Sequence, residues 1–275
     1  MYMAGSQQQV VRGEHSFTVL TSAPDALDYN WFWPGFANGG WENSTLDLMA
    51  RMIGPETLFL DVGAWIGPTA LWAACHGAEV HAFEPDVTAL KMLRRNLALN
   101  PSLASRVTVV PAAVGIQDGD IELHAPAMGG SETSCFKQVE RGPHVRTSGE
   151  NVTVPTVDLV NYIRRLGPQG RHVFLKMDIE GGEFHMLPAL HDAVRKYGVD
   201  LHVSFHPQNI ILGDNDVTLA GRMTKLAAAL EPYVGMNWYE FAGGRFERKS
   251  RVDHLIALMT NLSRGSDLLI TSREL

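Results

Sequence analysis

The sequence predicts an α/β fold: one domain built on a mainly parallel, doubly wound sheet, with an extension at its amino end. Three observations predict it. From residue 57 onward, short apolar runs alternate with helical patterns, as parallel strands joined by right-handed crossovers require. The first such run, "TLFLDV", enters a turn carrying Gly63 and Gly67 and then a helix opened by Pro68, the strand–turn–helix with which open α/β sheets present a ligand site. The 275 residues are 45% apolar and 19% charged, the composition of a globular chain long enough to bury a core without staples.

Taken in order, "HSFTVLTS" reads as a short strand. Residues 25–42, "DALDYNWFWPGFANGGWE", are aromatic with Pro and Gly and show neither helical nor strand period. Asn43 or Ser44 is placed to cap a helix with Leu46, Met49 and Ile53 on one face. "TLFLDV" is a buried strand, "PTALWAACHG" a helix stopped by glycine, and "AEVHAFEP" a strand. "DVTALKMLRRNLALNP" is a helix ended by Pro101, and "RVTVVPAAVG" a strand. A looser region covers about 116–155, with a strand at "DGDIELHA" and a small-residue loop at "PAMGGSETSC". "TVDLVNYIRRLG" is a helix, "RHVFLKMDIE" a strand, "GEFHMLPALHDAVRKYG" a helix and "VDLHVSFHP" a strand. The tail gives a helix near 216–230, strand "YVGMNWYEF", a polar turn "AGGRFERKSR", a helix near 252–263 and strand "DLLITS". With no repeat or low-complexity segment, the division is residues 1–42 as an extension and candidate substrate flap, and 43–275 as the domain.

A net charge of −7 disfavours nucleic acid as a partner, because phosphate contacts dominate that affinity. Cys75 and Cys135, the two cysteines, have no paired spacing and read as free thiols of a reducing compartment. The first residues lack the apolar core of a signal peptide, and no apolar run reaches membrane-spanning length. The expectation is a cytoplasmic protein with no membrane span, and a homodimer is one candidate state.

The turn "FLDVGAWIG" selects among nucleotides. A dinucleotide site holds a pyrophosphate on GxGxxG; here the middle glycine is missing and Trp65 stands where the backbone must approach closely. The arrangement Asp61, Gly63, Gly67 resembles instead the first motif of S-adenosylmethionine (SAM)-dependent methyltransferases with a Rossmann-like fold. Their cofactor carries cations where a dinucleotide carries phosphates. Glu84 ends the second strand, placed to accept both ribose hydroxyls. Ala112 and Ala113 at the end of the third leave room for a flat adenine.

The block "FLKMDIEGGEFHML", with "FLDVGAWIG", "AFEP" and "VSFHP", resembles the FkbM family of methyltransferases over roughly residues 41–206. The aromatic extension is similar to that of actinobacterial methylated-polysaccharide sugar O-methyltransferases. The resemblance implies a class I methyltransferase domain using SAM, released as S-adenosylhomocysteine (SAH). It also implies O-methylation in natural-product, polysaccharide or lipid pathways, with a small-molecule or oligosaccharide acceptor. Cofactor contacts then fall to Asp61, Gly63, Trp65, Gly67, Glu84, Ala113 and Asp178, with Glu42 facing the ammonium and Ser131 and Ser134 as further polar contacts.

In the fourth strand, period two puts Phe174, Lys176, Asp178 and Glu180 on one face. Ionisable groups on a buried face need partners or a function, and these step toward the ligand end; Glu183 follows in the next helix. Methyl transfer is an in-line displacement by a hydroxyl whose pKa is about that of water, ~15.7, so a base or a metal must assist. Asp178, Glu180 and His206 are a candidate Mg²⁺ or Mn²⁺ set; His206 or His144 is a candidate base, with Asp178 and Glu180 alongside. Trp31, Trp33, Phe36 and Trp41 are candidate acceptor contacts, and Arg245, Arg248, Lys249 and Arg251 a solvated basic turn. The rival readings are an NAD-dependent oxidoreductase and a catalytically silent SAM-binding module.

Overall fold

The computed structural model describes residues 5–23, 28–124, 135–136, 151–206, 219–250, 253 and 266–275. The chain opens with an antiparallel hairpin, β1 (Gln7–Arg12) and β2 (His15–Leu20), and helices α1 (Phe32–Asn38) and α2 (Asn43–Met52). Then come β3 (Thr57–Val62), α3 (Pro68–Cys75), β4 (Glu79–Phe83), α4 (Val87–Ala98), α5 (Pro101–Ala104) and β5 (Val107–Val110). Short strands follow: β6 (Ala113–Gly115), β7 (Gly119–His124), β8 (Cys135–Phe136) and β9 (Asn151–Asp158). The second half holds α6 (Leu159–Leu166), β10 (His172–Met177), α7 (Glu183–Tyr197), β11 (Asp200–Phe205), α8 (Leu219–Leu230), β12 (Asn237–Ala242), β13 (Arg245–Arg248) and β14 (Ser266–Thr271).

The main sheet has the order β13-β12-β14-β11-β10-β3-β4-β5. From β5 to β11 it is parallel; β14, β12 and β13 complete it antiparallel. The chain leaves β3 toward β4 and β5, then returns to lay β10 on the other flank of β3. This reversal opens a crevice at the carboxyl ends of β3 and β10, where such sheets bind ligands. A second sheet, β6-β9-β7-β8, sits beyond the β5 edge in sequence order.

Strand period two sorts the core. Leu58, Leu60 and Val62 of β3 pack with Val173, Leu175 and Met177 of β10 and with helices α6, α7 and α8. Phe59 and Phe174 face the opposite layer, α2, α3, α4 and the amino-terminal hairpin. Asp61 and Lys176 share that second face and lie side by side in register. Val10, Phe17, Val19, Tyr29, Phe32, Trp33 and Phe36 of the amino-terminal region are buried in this same layer. Two asparagines, Asn96 of α4 and Asn100 just beyond its end, fasten the hairpin to it. Asn96 accepts from Leu20 N–H at 2.8 Å, and Asn100 both accepts from Thr18 N–H and donates to Thr18 C=O.

Several elements differ from the sequence-based expectation. Residues 32–38 form a helix despite having no period, because its short turns bury aromatics and Pro34 lies in the first turn, where proline is tolerated. Neither Asn43 nor Ser44 caps α2: Glu42 holds the cap position without a side-chain bond, while Asn43 pairs with Arg12 and Asp47. Helix α4 ends at Ala98, and Pro101 opens a further turn rather than closing it. The strand expected over 106–115 is two strands in different sheets. Pro111 has no N–H to continue the ladder, and Val110 C=O accepts from both Glu84 and Ala112. The looser region contains β9, whose Pro155 disguises it, and the helix expected from Thr156 begins at Leu159. The expected polar turn contains β13, joined to β12 by Gly243 and Gly244, both at positive φ. The small-residue loop with Ser131 and Ser134, the start of the helix near 216–230, and the helix near 252–263 (Asp253 apart) lie outside the described residues. Among the described residues no helix is long and apolar enough to cross a membrane.

Candidate active site

The crevice contains a cavity of about 320 Å³ whose walls come from every turn at the carboxyl edge. Its first wall is the turn after β3. Gly63 has φ +85, and a Cβ there would stand 2.0 Å from the Asp178 carbonyl oxygen; only glycine lets the turns after β3 and β10 meet. Gly63 and Ala64 donate their N–H groups to Phe83 C=O, and Gly67 donates to Ala64 C=O. Trp65 takes φ +48 and donates its N–H to Glu84 Oε2 at 2.7 Å. Its ring lies edge-on to Phe32 and Tyr29, at 4.7 and 5.6 Å, so the amino-terminal region covers it. Gly67, at φ +94, opens α3 where a Cβ would strike Leu93.

Glu84 forms the second wall. It is buried, and each carboxylate oxygen accepts one backbone N–H, from Trp65 at 2.7 Å and from Asp86 at 2.8 Å. Burial pushes its carboxyl up to about 8; the charges of Asp86 and Asp61 add to this, and the two N–H bonds oppose it. Ala112 and Ala113 lie beside it along the lining.

The third wall is a charge network at the ends of β10 and β11. Lys176, buried, donates to Asp178 Oδ2 at 3.3 Å. Burial opposes its charge, but Asp178, Asp61 and Glu42 outweigh that and hold the ammonium protonated. For Asp178, burial raises the carboxyl, and Lys176 and His206 more than offset it, leaving it below the ordinary carboxylate range. Beyond Met177 the strand ends. Glu180 and Gly181 both take positive φ, and Glu183 closes the turn by accepting Ile179 N–H at 2.9 Å and Gly181 N–H at 2.8 Å. Glu180 therefore reaches the cavity from a left-handed turn, not along the strand face that period two predicts.

His206 stands among three carboxylates. Nδ1 lies 3.1 Å from Glu183 Oε1, and Nε2 lies 3.7 Å from Asp178 and 3.6 Å from Glu180. Burial lowers its pKa, but these neighbours win and carry it up to about 10. Both ring nitrogens face acceptors, so the side chain is an imidazolium. An imidazolium cannot take a proton, which removes His206 as the base in this geometry. The donor atoms that lie within 4.8 Å of one another are those of Asp178, Glu183 and His206, with Glu183 where the sequence reading has Glu180. Both Glu183 oxygens hold backbone N–H groups, and His206 offsets one of the three surrounding carboxylate charges. With Glu183 so engaged, the set has the contacts of an ion-pair network.

Of the residues singled out from sequence, Gly63, Trp65, Glu84, Ala113, Glu42, Asp178, Glu180 and His206 line the cavity. Asp61 and Gly67 do not. Asp61 lies behind Thr69, which donates to its Oδ2 at 2.7 Å and itself lines the cavity. Burial raises the Asp61 carboxyl to about 6, against the pull of Lys176 and Thr69. His144 lies outside the described residues. Of the aromatics, Trp31 and Trp41 line the cavity, whereas Trp33 and Phe36 are fully buried core. Sequence reasoning overlooks the fastening of His206 by Glu183, which the fold brings together across 23 residues, and Leu123, delivered to the wall by the small sheet. Three non-glycine residues among those described have positive φ, Glu42, Trp65 and Glu180, and all three line the cavity. Strained backbone of this kind concentrates at functional sites.

A doubly wound sheet with an acidic cavity at its switch point has the architecture of a ligand-binding α/β domain. The methyltransferase FkbM domain matches residues 61–219, more than half of the chain. The chain belongs to the FkbM methyltransferase family. Among solved structures, it is similar to an FkbM methyltransferase from Methylobacillus flagellatus KT, with 15% identity and a TM-score of 0.41, covering 83% of this chain and 51% of that one. The chain thus spans about half the length of that relative. It is also similar to an O-methyltransferase from Bacillus cereus in complex with SAH, at 13% identity, TM-score 0.39, 83% of this chain and 79% of that one. A SAM-dependent methyltransferase from Agrobacterium tumefaciens shows 11% identity, TM-score 0.41, and 98% and 71% coverage. These likenesses concern the fold; membership rests on the domain match. No curated protein matches the chain.

Proposed function

We propose that the chain is a SAM-dependent O-methyltransferase whose acceptor is a hydroxyl of a sugar or oligosaccharide. The observation that carries the cofactor reading is where the first turn's amides go. The N–H groups of Gly63, Ala64, Trp65 and Gly67 all end on protein acceptors. A dinucleotide needs such amides for its pyrophosphate, and this turn offers it none of those four. The lining carboxylate of Asp178, held below the ordinary range, also repels phosphate while suiting a cation.

When bound, SAM supplies a methyl group activated on a sulfonium. The protein's own residues do the rest. Glu84, oriented by its two amides, accepts the ribose hydroxyls beside Ala112 and Ala113. Gly63 and Trp65 shape the floor under the methionine end, and Asp178, held by Lys176, faces the cationic centre. Trp31, 62% exposed, and Trp41 give the cavity aromatic faces, which pack against sugar rings; residues 1–42 on this reading carry the acceptor side.

The test is transfer of labelled methyl from SAM to a panel of mono- and oligosaccharides, with Mg²⁺ and with EDTA. The expected result is transfer to a sugar that survives EDTA. Loss in EDTA would restore a metal at Asp178, Glu183 and His206. SAH binding with no transfer to any sugar would retain the cofactor and replace the acceptor class with a lipid or other natural product.

A further inference from the structure

The cavity has two chemically different ends. Glu84 feels the charges of Asp86 and Asp61. Glu42 feels instead Asp178, Lys176, Asp267 and His206, the groups at the ends of β10, β11 and β14. Glu42 follows Trp41, which lines the same cavity, and precedes the matched domain segment at residues 61–219. On the methyltransferase reading, which gives residues 1–42 to the acceptor side, it falls in the acceptor half.

That half needs a proton acceptor, and the described residues lining the cavity narrow the choice. His206 is enclosed by three carboxylates. Asp178 is paired with Lys176 at 3.3 Å. Glu84 holds a backbone N–H on each oxygen. Glu180 lies 3.6 Å from His206 and lends it charge. Glu42 differs: its Oε2 is buried and has no hydrogen-bond partner among the described residues. A buried carboxylate oxygen without a partner is costly unless a ligand completes it. The backbone at Glu42 is also held at φ +36; its C=O accepts Leu46 N–H, and its side chain makes no capping bond to α2.

We propose that Glu42 is the general base of the methyl transfer. Its free oxygen takes the acceptor hydroxyl proton as the new O–CH₃ bond forms and the CH₃–S bond breaks. The sulfonium becomes the neutral thioether of SAH, and the proton leaves Glu42 to solvent when product departs. Burial, then the charge of Asp178, lifts the Glu42 carboxyl to about 8, with Lys176 and His206 opposing. A base with a pKa near the working pH is the effective kind. The positive charge of bound SAM favours its ionised form. This assignment rests on the methyltransferase reading and replaces the ammonium contact that the sequence suggests for Glu42.

The experiment compares wild type with Glu42→Gln, which keeps the side chain's size. SAH binding is measured by calorimetry in two buffers of different ionisation enthalpy, and turnover against pH with the sugar panel. Wild-type SAH binding checks the cofactor reading independently. The expected result is SAH affinity within about threefold of wild type and an unchanged proton count, since a spectator base is not involved in holding SAH. Methyl transfer should fall by about 100-fold or more, and the acidic limb of the wild-type pH profile should vanish. Glu42→Asp should keep that limb at a reduced rate. A tenfold or greater loss of SAH affinity, or a changed proton count, would make Glu42 the partner of the cofactor's ammonium and overturn the proposal. Undiminished transfer by Glu42→Gln would overturn it equally.

Discussion

The two ends of the central sheet bury the same kinds of groups and use them in opposite ways. At the amino end, Asp200 accepts from Thr271 Oγ1 at 2.6 Å and from His172 Nε2 at 2.8 Å, and it pairs with Arg273. Gly54 N–H donates to Thr57 Oγ1, and Thr57 bonds His172 Nδ1 at 3.0 Å. Burial and the nearby Arg273 lower His172 to about 4. Arg273 already supplies the charge Asp200 requires, so a neutral imidazole donates to Asp200 and accepts from Thr57. At the carboxyl end, His206 is raised to about 10, and Glu42 and Asp61 each keep one buried oxygen with no partner. Those two are the unpartnered buried carboxylate oxygens among the described residues. The contrast teaches how to tell a fastening from a receptor. A buried charge whose valences are filled holds strands together, whereas Glu42, left incomplete on the cavity wall, is open to a ligand.

The largest effects should come from breaking the structural side of this contrast. Trp33→Ala, removing a fully buried ring, should cost about 3–5 kcal/mol in urea denaturation. Asp200→Asn should cost about 3 kcal/mol, chiefly through its bonds to Thr271 and His172, because Arg273 is half exposed and its charge is screened. It should leave SAH affinity unchanged; a loss of SAH affinity would show that the two ends are not independent.

The two histidines should respond to pH in opposite directions. His206 has a folded pKa above its ordinary 6.5. The stability it contributes is therefore complete below about 6.5 and lost as pH rises through about 10. His172 has a folded pKa depressed to about 4, so stability at the amino end falls as pH drops from about 6.5 toward 4, where the unfolded chain alone takes up the proton. Denaturation of His206→Asn and His172→Asn against wild type across pH should show each mutant losing only its own limb. The smallest effect is expected at Trp31. Trp31→Ala should change stability by no more than about 0.5 kcal/mol while weakening acceptor binding, seen as a raised KM; a large stability loss would place Trp31 in the core with Trp33.

Much of the site is legible in sequence because the relevant signals are local. Asp61 and Gly63 lie on one turn, Glu84 ends one strand, and Lys176 and Asp178 share one strand period, so each position follows from its neighbours. What is not legible depends on distant partners. His206 reads as a base until three carboxylates are folded around it. Asp61 reads as a cofactor ligand until Thr69 covers it. Gly63 reads as a turn glycine of the cofactor motif, and the neighbour that demands it, the Asp178 carbonyl, comes from 115 residues away. In the fold, helix 32–38 is too short to show a period, with Phe32, Trp33 and Phe36 on its one buried face, and β9 is masked by Pro155. The Gly243–Gly244 pair is the one local signal that would have revealed β13.

The central claim is that the carboxyl-end cavity receives a SAM-type cofactor through Glu84 and a turn whose Gly63, Ala64, Trp65 and Gly67 amides are already bonded within the protein. Calorimetric titration of the wild type and Glu84→Ala with SAH and with NAD tests it most directly. The account predicts that SAH binds the wild type, that Glu84→Ala weakens it by about tenfold or more, roughly 1.4 kcal/mol, and that NAD binds neither. NAD binding to the wild type, with SAH binding absent or indifferent to Glu84, would contradict it.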